Sequence, residues 1–425
     1  MSEYPKYRPA DPVEIENRQW PSRRITTPPV WASVDLRDGN QAFIRPMNAE
    51  AKLRYFQMLA HIGFREIEVG YPASSREEFE FLRQLIGEGA IPDDVRICVL
   101  TAARPDLIER TIESIRGADR ATIHCYAATS ELHRRFVFNK SEQELTDMAV
   151  ESTRQIRDAV ESAGLRGRIA YEFSPEEFSD SRLGFVVDLA AAVEEAWASR
   201  GKEEFILNLP ETVERRPPYE YADMIEAFVR RYPAMERTTL SVHTHNDQGG
   251  AVAAAEMAVL AGAERVEGTL LGHGERTGNM DLVTFALNLK SRGVEPGLDF
   301  RRLPEIVEFI EEVSGMSVHP RAPYAGELVF TAFSGTHQDA IRKGLAQQEA
   351  IAEAFHQGWK VPYLHLDPRD VGRSHEGLIR INSQSGKGGV AYVLENVYGI
   401  EVPKAMQPQV ATAVQQEAES SGGEL

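Results

Sequence analysis

The chain has 425 residues, 42% of them hydrophobic and 26% charged, the balance of a globular protein large enough for more than one domain. Its formal net charge of -18 argues against a nucleic-acid surface and leaves only local basic pockets for anionic ligands. No apolar run approaches the roughly 20 residues of a membrane span, and residues 1–24, rich in Pro, Arg and Glu, lack the apolar core of a signal peptide, so a cytoplasmic protein with no membrane partner is expected.

Residues 1–28 read as an extended arm, with several prolines and no helical period, of the kind that packs on its own surface or on a neighbouring subunit. From Trp31 onward short β-branched runs alternate with amphipathic stretches: strand 31–38 and helix 49–62, then 66–71 and 76–86, 96–101 and 105–115, and 120–126 and 142–163. The alternation continues with 168–173 and 181–198, 204–209 and 219–231, 238–245 and 249–261, and 265–271 and 279–291. Eight strand–helix units predict an α/β fold, a (β/α)8 TIM barrel over 29–325, its parallel strands buried on both faces. Small, mostly helical subdomains are expected over 326–410, and a polar Gly/Ser tail over 411–425. Cys98 and Cys125 lie in apolar runs and read as inert core thiols, too few for a disulfide framework.

In such a barrel the active face lies at the carboxyl ends of the strands. The polar residues expected there are Arg37, Asp38, Gln41, Glu68, Thr101, His124, Glu172, Asn208, Thr212, His243, His245, His273, Glu275 and Arg276. Side chains alternate along a strand, so His243 and His245 share a face and offer two imidazoles to one cation, with Asp38 as a hard oxygen ligand from another strand end. A His-x-His pair alone is more often structural, but that many polar groups converging on one mouth favour an enzyme over a scaffold.

The segments Ser33-Val34-Asp35-Leu36-Arg37-Asp38-Gly39-Asn40-Gln41, His243-Thr244-His245-Asn246-Asp247 and Gly272-His273-Gly274-Glu275-Arg276-Thr277-Gly278-Asn279 resemble the signatures of the 2-isopropylmalate synthase family. That family stands among metal-dependent Claisen-condensing barrels that include homocitrate synthase and hydroxymethylglutaryl-CoA lyase. Phe333 to Ala340, Val361-Pro362-Tyr363, Asp367 to Arg373 and Asn382 to Gly389 resemble its longer form. The resemblance implies condensation of acetyl-CoA with a 2-oxo acid, typically 2-oxoisovalerate, then thioester hydrolysis to a 2-alkylmalate and CoA. It implies a divalent metal (Mg2+, Mn2+ or Zn2+) on Asp38, His243 and His245, with Arg37 stabilising charge on the ketone oxygen and a homodimer as the assembly. Gln41, Glu68, His124 and Thr212 fall at the oxo acid, Glu68 either shaping its side-chain pocket or sitting behind in a hydrogen bond. For the enolising base the pattern implicates His337 together with Glu172 and Tyr363, His337 being preferred within that system; Tyr363 reads equally as a core residue.

Three departures from the family pattern stand out. His273 replaces an Asn counted as a fourth metal ligand, which would shift metal preference toward zinc or alter the oxo-acid pocket. Gly372-Arg373-Ser374-His375 stands where Gly-Arg-Thr-Tyr is common. The leucine-binding regulatory domain is not expected within these 425 residues. The alternatives are a synthase for another 2-oxo acid, a retro-condensing lyase, and an idle acyl-CoA-binding paralogue. Gly386-Lys387-Gly388-Gly389 lacks the flanking pattern of a phosphate loop and reads as a turn or anion-contacting loop.

Overall fold

A computed structural model describes residues 6, 10, 12–102, 104–375, 381 and 385–421. The stretch 382–384 of one family-like segment, 1–5 of the arm and 422–425 of the tail lie outside the described residues. Eight strands form a closed, wholly parallel barrel in chain order: β1 (Val30–Ser33), β2 (Glu66–Gly70), β3 (Arg96–Thr101), β4 (Ala121–Ala128), β5 (Ile169–Glu176), β6 (Phe205–Glu211), β7 (Thr239–Thr244) and β8 (Arg265–Gly268). β1 closes on β8 from Val30↔Arg265 to Ser33↔Gly268. Helices α1 (Ala49–Ile62), α2 (Arg76–Gly87), α3 (Pro105–Ser114), α4 (Glu142–Ser162), α5 (Leu183–Trp197), α6 (Pro218–Arg231), α7 (Ala251–Ala261) and α8 (Leu282–Ser291) follow the strands in turn. The expected TIM barrel is therefore present.

Local chemistry starts and ends these helices. Asn48 caps α1 by accepting from Ala51 N at 2.9 Å, Gly63 ends it in the left-handed region, and Ser141 with Glu144 forms a reciprocal capping box on α4. Tyr55, Phe56 and Leu59 of α1 are fully buried against the barrel, as the helical spacing requires.

Several strand ends differ from the sequence reading, and those of β1 and β5 bear on the site. The run read as one strand to Asp38 stops at Ser33, and Asp35–Gly39 winds into a single wide turn. Asp35 anchors this turn: Ser33 Oγ donates to it at 2.7 Å, Tyr55 Oη at 2.8 Å and Leu270 N at 3.0 Å. Burial pushes its carboxyl up to about 7. β5, in turn, runs three residues past Phe173 to Glu176, paired with β4 as far as Ala128↔Glu176.

Below the strand ends the barrel is filled by charge as well as by hydrocarbon. Arg265, 2% exposed, donates to Glu66 at 2.6 Å, Glu267 at 2.6 Å, Ser241 at 2.8 Å and Glu172 at 3.2 Å. Burial pushes the Glu172 carboxyl well up despite Arg265, and it donates to Glu267, which those same partners hold well down. A buried pair that shares one proton and one guanidinium avoids two uncompensated charges.

The chain divides into two compact units, residues 1–298 with 313–315, and 299–312 with 316–425. The second carries α9 (Leu303–Ser314) in large part, α10 (Gly335–Leu345), α11 (Gln348–Phe355), α12 (Lys387–Asn396) and α13 (Gln407–Ser421). The helical character expected over 326–410 is there, but the stretch read as a polar tail from 411 is α13 through Ser421. No helix among the described residues is long and apolar enough to cross a membrane.

Candidate active site at the carboxyl ends of the strands

A cavity of about 270 Å³ opens at the carboxyl ends of the strands, lined by Arg37, Asp38, Gln41, His124, Asn208, Thr212, His243, His245, Glu275 and Arg276. Tyr126, Ser174 and Glu176 join them. The wide turn after β1 delivers Arg37 and Asp38. Arg37 Nη1 donates to Asp38 Oδ1 at 2.8 Å and its Nε to Glu68 Oε2 at 2.6 Å, while Gln41 Nε2 reaches Asp38 Oδ1 at 3.1 Å. Burial alone would raise the Asp38 carboxyl, but the Arg37 guanidinium and the bond from His243 outweigh it and hold it far below the usual range.

β7 and the residue just past its end supply the two imidazoles. His243 Nε2 lies 3.6 Å and His245 Nε2 3.9 Å from Asp38 Oδ2, and one ligand atom from each of the three residues falls within 4.8 Å of the others. His243 Nδ1 is held by Glu267 Oε2 at 2.9 Å, which leaves Nε2 facing Asp38. Burial would lower His243, but its bonds to Asp38 and Glu267 prevail and raise it to about 9; burial and the neighbouring His243 push His245 down to about 4. His245 Nδ1 is buried with no hydrogen-bond partner among the described residues. One carboxylate, two imidazoles and an orphaned imidazole nitrogen suit a divalent cation of hard to borderline character.

The residues expected at the oxo acid divide into two layers. Gln41, His124 and Thr212 line the cavity, whereas Glu68 stands behind it, bonded to Arg37 and to His124 Nδ1 at 2.9 Å. His124 Nε2 meets Ser174 Oγ at 2.7 Å, and Asn208 Nδ2 donates to Ser174 Oγ and Glu267 Oε2, both at 3.1 Å. Burial favours a neutral Glu68, yet Arg37 and His124 hold it ionised.

Besides Glu68, three residues expected at the mouth are not brought to the cavity: Thr101, fully buried and accepting from Thr111 Oγ1 at 3.1 Å, Glu172 and His273. Glu172 is fully buried and bonded to Arg265 beneath the site, because β5 continues beyond it by two further inward positions; Glu176, not Glu172, is the β5 carboxyl at the cavity wall. His273 stands outside the Asp38–His243–His245 cluster, half-buried, its ring edge-on to Phe43 at 5.3 Å. The side chain beside Asp38 from that loop is Asn279, whose Nδ2 donates to Asp38 Oδ2 at 2.7 Å and to the His273 carbonyl at 2.8 Å. Asn279 ends the very segment that drew attention to His273, but only the bridge His245↔Asn279, a contact distant in sequence, reveals its place. Glu267 was likewise missed, being one acidic residue in a short strand with nothing local to mark it.

His337 and Tyr363 belong to the second unit. They stack on one another with ring centroids 3.8 Å apart, and Tyr363 is 63% exposed, so the reading of a core tyrosine does not hold. Glu176 differs from Glu172 in access as well as place: burial, then the neighbouring Glu177, raises its carboxyl while it still faces the cavity.

Comparison with known proteins agrees with this geometry. Residues 29–310 match the HMGL-like family model, and 327–395 match that of the alpha-isopropylmalate synthase post-catalytic domain. Solved structures of HMG-CoA lyase share the fold alone: that of Bacillus subtilis has a TM-score of 0.56 at 20% identity, covering 69% of this chain and 95% of its own. The Pseudomonas aeruginosa enzyme has a TM-score of 0.55 at 20% identity over 68% and 94%. The chain is 53% identical to a 2-isopropylmalate synthase of Ralstonia nicotianae over 419 residues, 99% of this chain and 72% of that one. It is 49% identical to that of Rhodospirillum rubrum, covering 99% and 75%. With its cation-binding cluster, its Arg37 and a full-length match of this strength, the chain belongs to the 2-isopropylmalate synthase family.

Proposed function

We propose that the barrel cavity condenses acetyl-CoA with 2-oxoisovalerate and hydrolyses the thioester, releasing 2-isopropylmalate and CoA. The observation that carries this reading is Asp38, His243 and His245 gathered beside Arg37 at the strand ends, in a chain about half identical to proteins named 2-isopropylmalate synthase. Asp38, His243 and His245 would hold a divalent cation (Mg2+, Mn2+ or Zn2+), with the Asn279 amide steadying Asp38. When bound, that cation supplies Lewis acidity at the ketone and carboxylate of the oxo acid.

Arg37, fixed by Asp38 and Glu68, neutralises negative charge as it grows on the ketone oxygen. Thr212, Gln41 and His124 orient the oxo acid. The acetyl methyl must lose a proton before its carbon attacks the ketone, and Glu176, raised by burial and facing the cavity, is suited to take it. His337 with Tyr363 is proposed to serve the same proton transfers, supported by the resemblance and by their paired, accessible rings. Water then attacks the thioester carbon, the C–S bond breaks and the departing thiolate of CoA takes up the proton that the water loses.

Release of free thiol from acetyl-CoA across a panel of 2-oxo acids, with and without divalent metal, tests the reading. Metal-dependent release with 2-oxoisovalerate, abolished in Asp38→Ala and strongly reduced in His337→Ala, is the expected result. Preference for a larger or more polar acid would assign a different 2-alkylmalate, and no release with any acid would sink the synthase reading.

A further inference from the structure

The loops after β4, β5 and β6 meet at one buried residue that the reaction as described does not use. Glu177 follows Glu176 directly, is 4% exposed and has φ +58, in the left-handed region that a residue with a side chain adopts only when its surroundings impose it. Its carboxylate is gripped by two groups from the loop after β4. Ser130 Oγ donates to Oε2 through a short hydrogen bond, and His133 Nδ1 faces the same oxygen at 2.5 Å. Its backbone N–H donates to Thr212 Oγ1 at 2.9 Å, and its carbonyl accepts from Ser181 Oγ at 2.8 Å.

The peptide joining Glu176 to Glu177 is thereby clamped from both sides. Its carbonyl accepts from Thr129 N and Thr129 Oγ1, each at 2.9 Å, and its N–H goes to Thr212. Glu176 and Thr212 are the cavity residues at the two ends of this clamp. Because Thr212 Oγ1 accepts from Glu177, its own hydroxyl hydrogen is left to donate elsewhere, which suits a donor aimed at an oxo-acid oxygen. His133 is half-exposed, and with Nδ1 turned to Glu177 its ring orientation is set by that carboxylate.

We propose that Glu177 and His133 are positioning residues for the condensation, a hydrogen-bonded latch that holds Glu176 and Thr212 in their working orientations. This rests on the cavity being the site of the reaction proposed above. Neither residue need touch substrate; both act through the residues they hold. A carboxylate or hydroxyl displaced by about 1 Å loses up to ~100-fold in rate, so even partial release of the latch is readable.

The test uses the full chain. Glu177→Gly removes the carboxylate while suiting the left-handed backbone, so it should fold at least as well as the wild type. His133→Asn keeps a nitrogen where Nδ1 stands; His133→Ala does not. Expected are a fall in kcat of ~10-fold or more in Glu177→Gly and His133→Ala, with the KM for acetyl-CoA within about twofold of the wild type. His133→Asn should recover most of the rate, and the double variant should be no worse than either single, as for two groups acting as one. A Glu177→Gly protein with unchanged kcat and unchanged KM for the oxo acid would overturn the latch while leaving the reaction intact. Absence of thiol release from the wild type would overturn the reaction and the latch with it.

Discussion

At the scale of single residues, burial decides which of two carboxyls on one strand is available. Glu172 and Glu176 are both held above the usual carboxylate range by desolvation, but Glu172 is committed to a hydrogen bond it donates to Glu267 under Arg265, whereas Glu176 faces the cavity. Glu176→Gln should therefore lower kcat by about 100-fold, the scale of a lost general base, with little change in thermal midpoint. Glu172→Gln should do the reverse, lowering stability through the Arg265 cluster and leaving kcat of the folded fraction nearly intact. Steady-state kinetics beside thermal denaturation checks this, and equal kinetic losses in the two variants would refute it. A third carboxyl is a liability without a role in the cavity. Glu211 at the end of β6 is fully buried, both its oxygens lack partners among the described residues, and burial, then Glu214, pushes it up to about 9. Because its folded-state value lies above its unfolded one, the wild type is favoured below the unfolded value, near 4.5, and loses that advantage as pH climbs toward 9. Glu211→Met should thus stabilise the protein, by an amount growing from pH 5 to pH 9. Thermal midpoints across that range that stay parallel would contradict the assignment.

At the scale of elements, the sequence reading was right about order and wrong about ends. Eight strand–helix alternations were legible because buried parallel strands and amphipathic helices carry distinct periods, and α1 and β3 fall where the residues placed them. Ends are decided by long-range pairing. β5 extends to Glu176 because β4 continues alongside it to Ala128, and nothing in Ser174-Pro175-Glu176, with a proline in it, reads as strand. Ending the strand at Phe173 left Glu172 as the β5 carboxyl nearest the mouth, where it stood beside His337 and Tyr363 in the expected base system. The metal cluster was legible for the opposite reason: His243 on β7 and His245, one residue past its end, stand two apart in one extended run, a spacing that survives an error at the strand's end. Asn279 and Glu267 complete the cluster through contacts between distant loops and strands, for which no local pattern exists.

For the whole molecule, metal and fold are linked. A cation that binds the native cluster and not the unfolded chain stabilises by about 2.7 kcal/mol at a hundredfold excess over its Kd. Chelation should lower the thermal midpoint of the wild type, and adding Mn2+ back should restore it in a concentration-dependent way. Asp38→Ala should show neither shift; the same response in that variant would place the cation elsewhere. The homodimer implied by resemblance remains a proposal. Sedimentation of the wild type over a dilution series, read with thiol release, decides whether assembly and activity fall together.

The ionic floor of the barrel has a consequence for how such a chain diverges. Arg265, Glu66, Glu172 and Glu267 are mutually committed, so a change in any one strands the others in a dry interior. The rim above, where Gln41 stands exposed after the turn that follows β1 and Glu275 and Arg276 stand exposed after β8, carries no such debt to the core. Descendants of this chain are then free to explore new substrates by drifting at the rim, while the floor is inherited all at once or not at all.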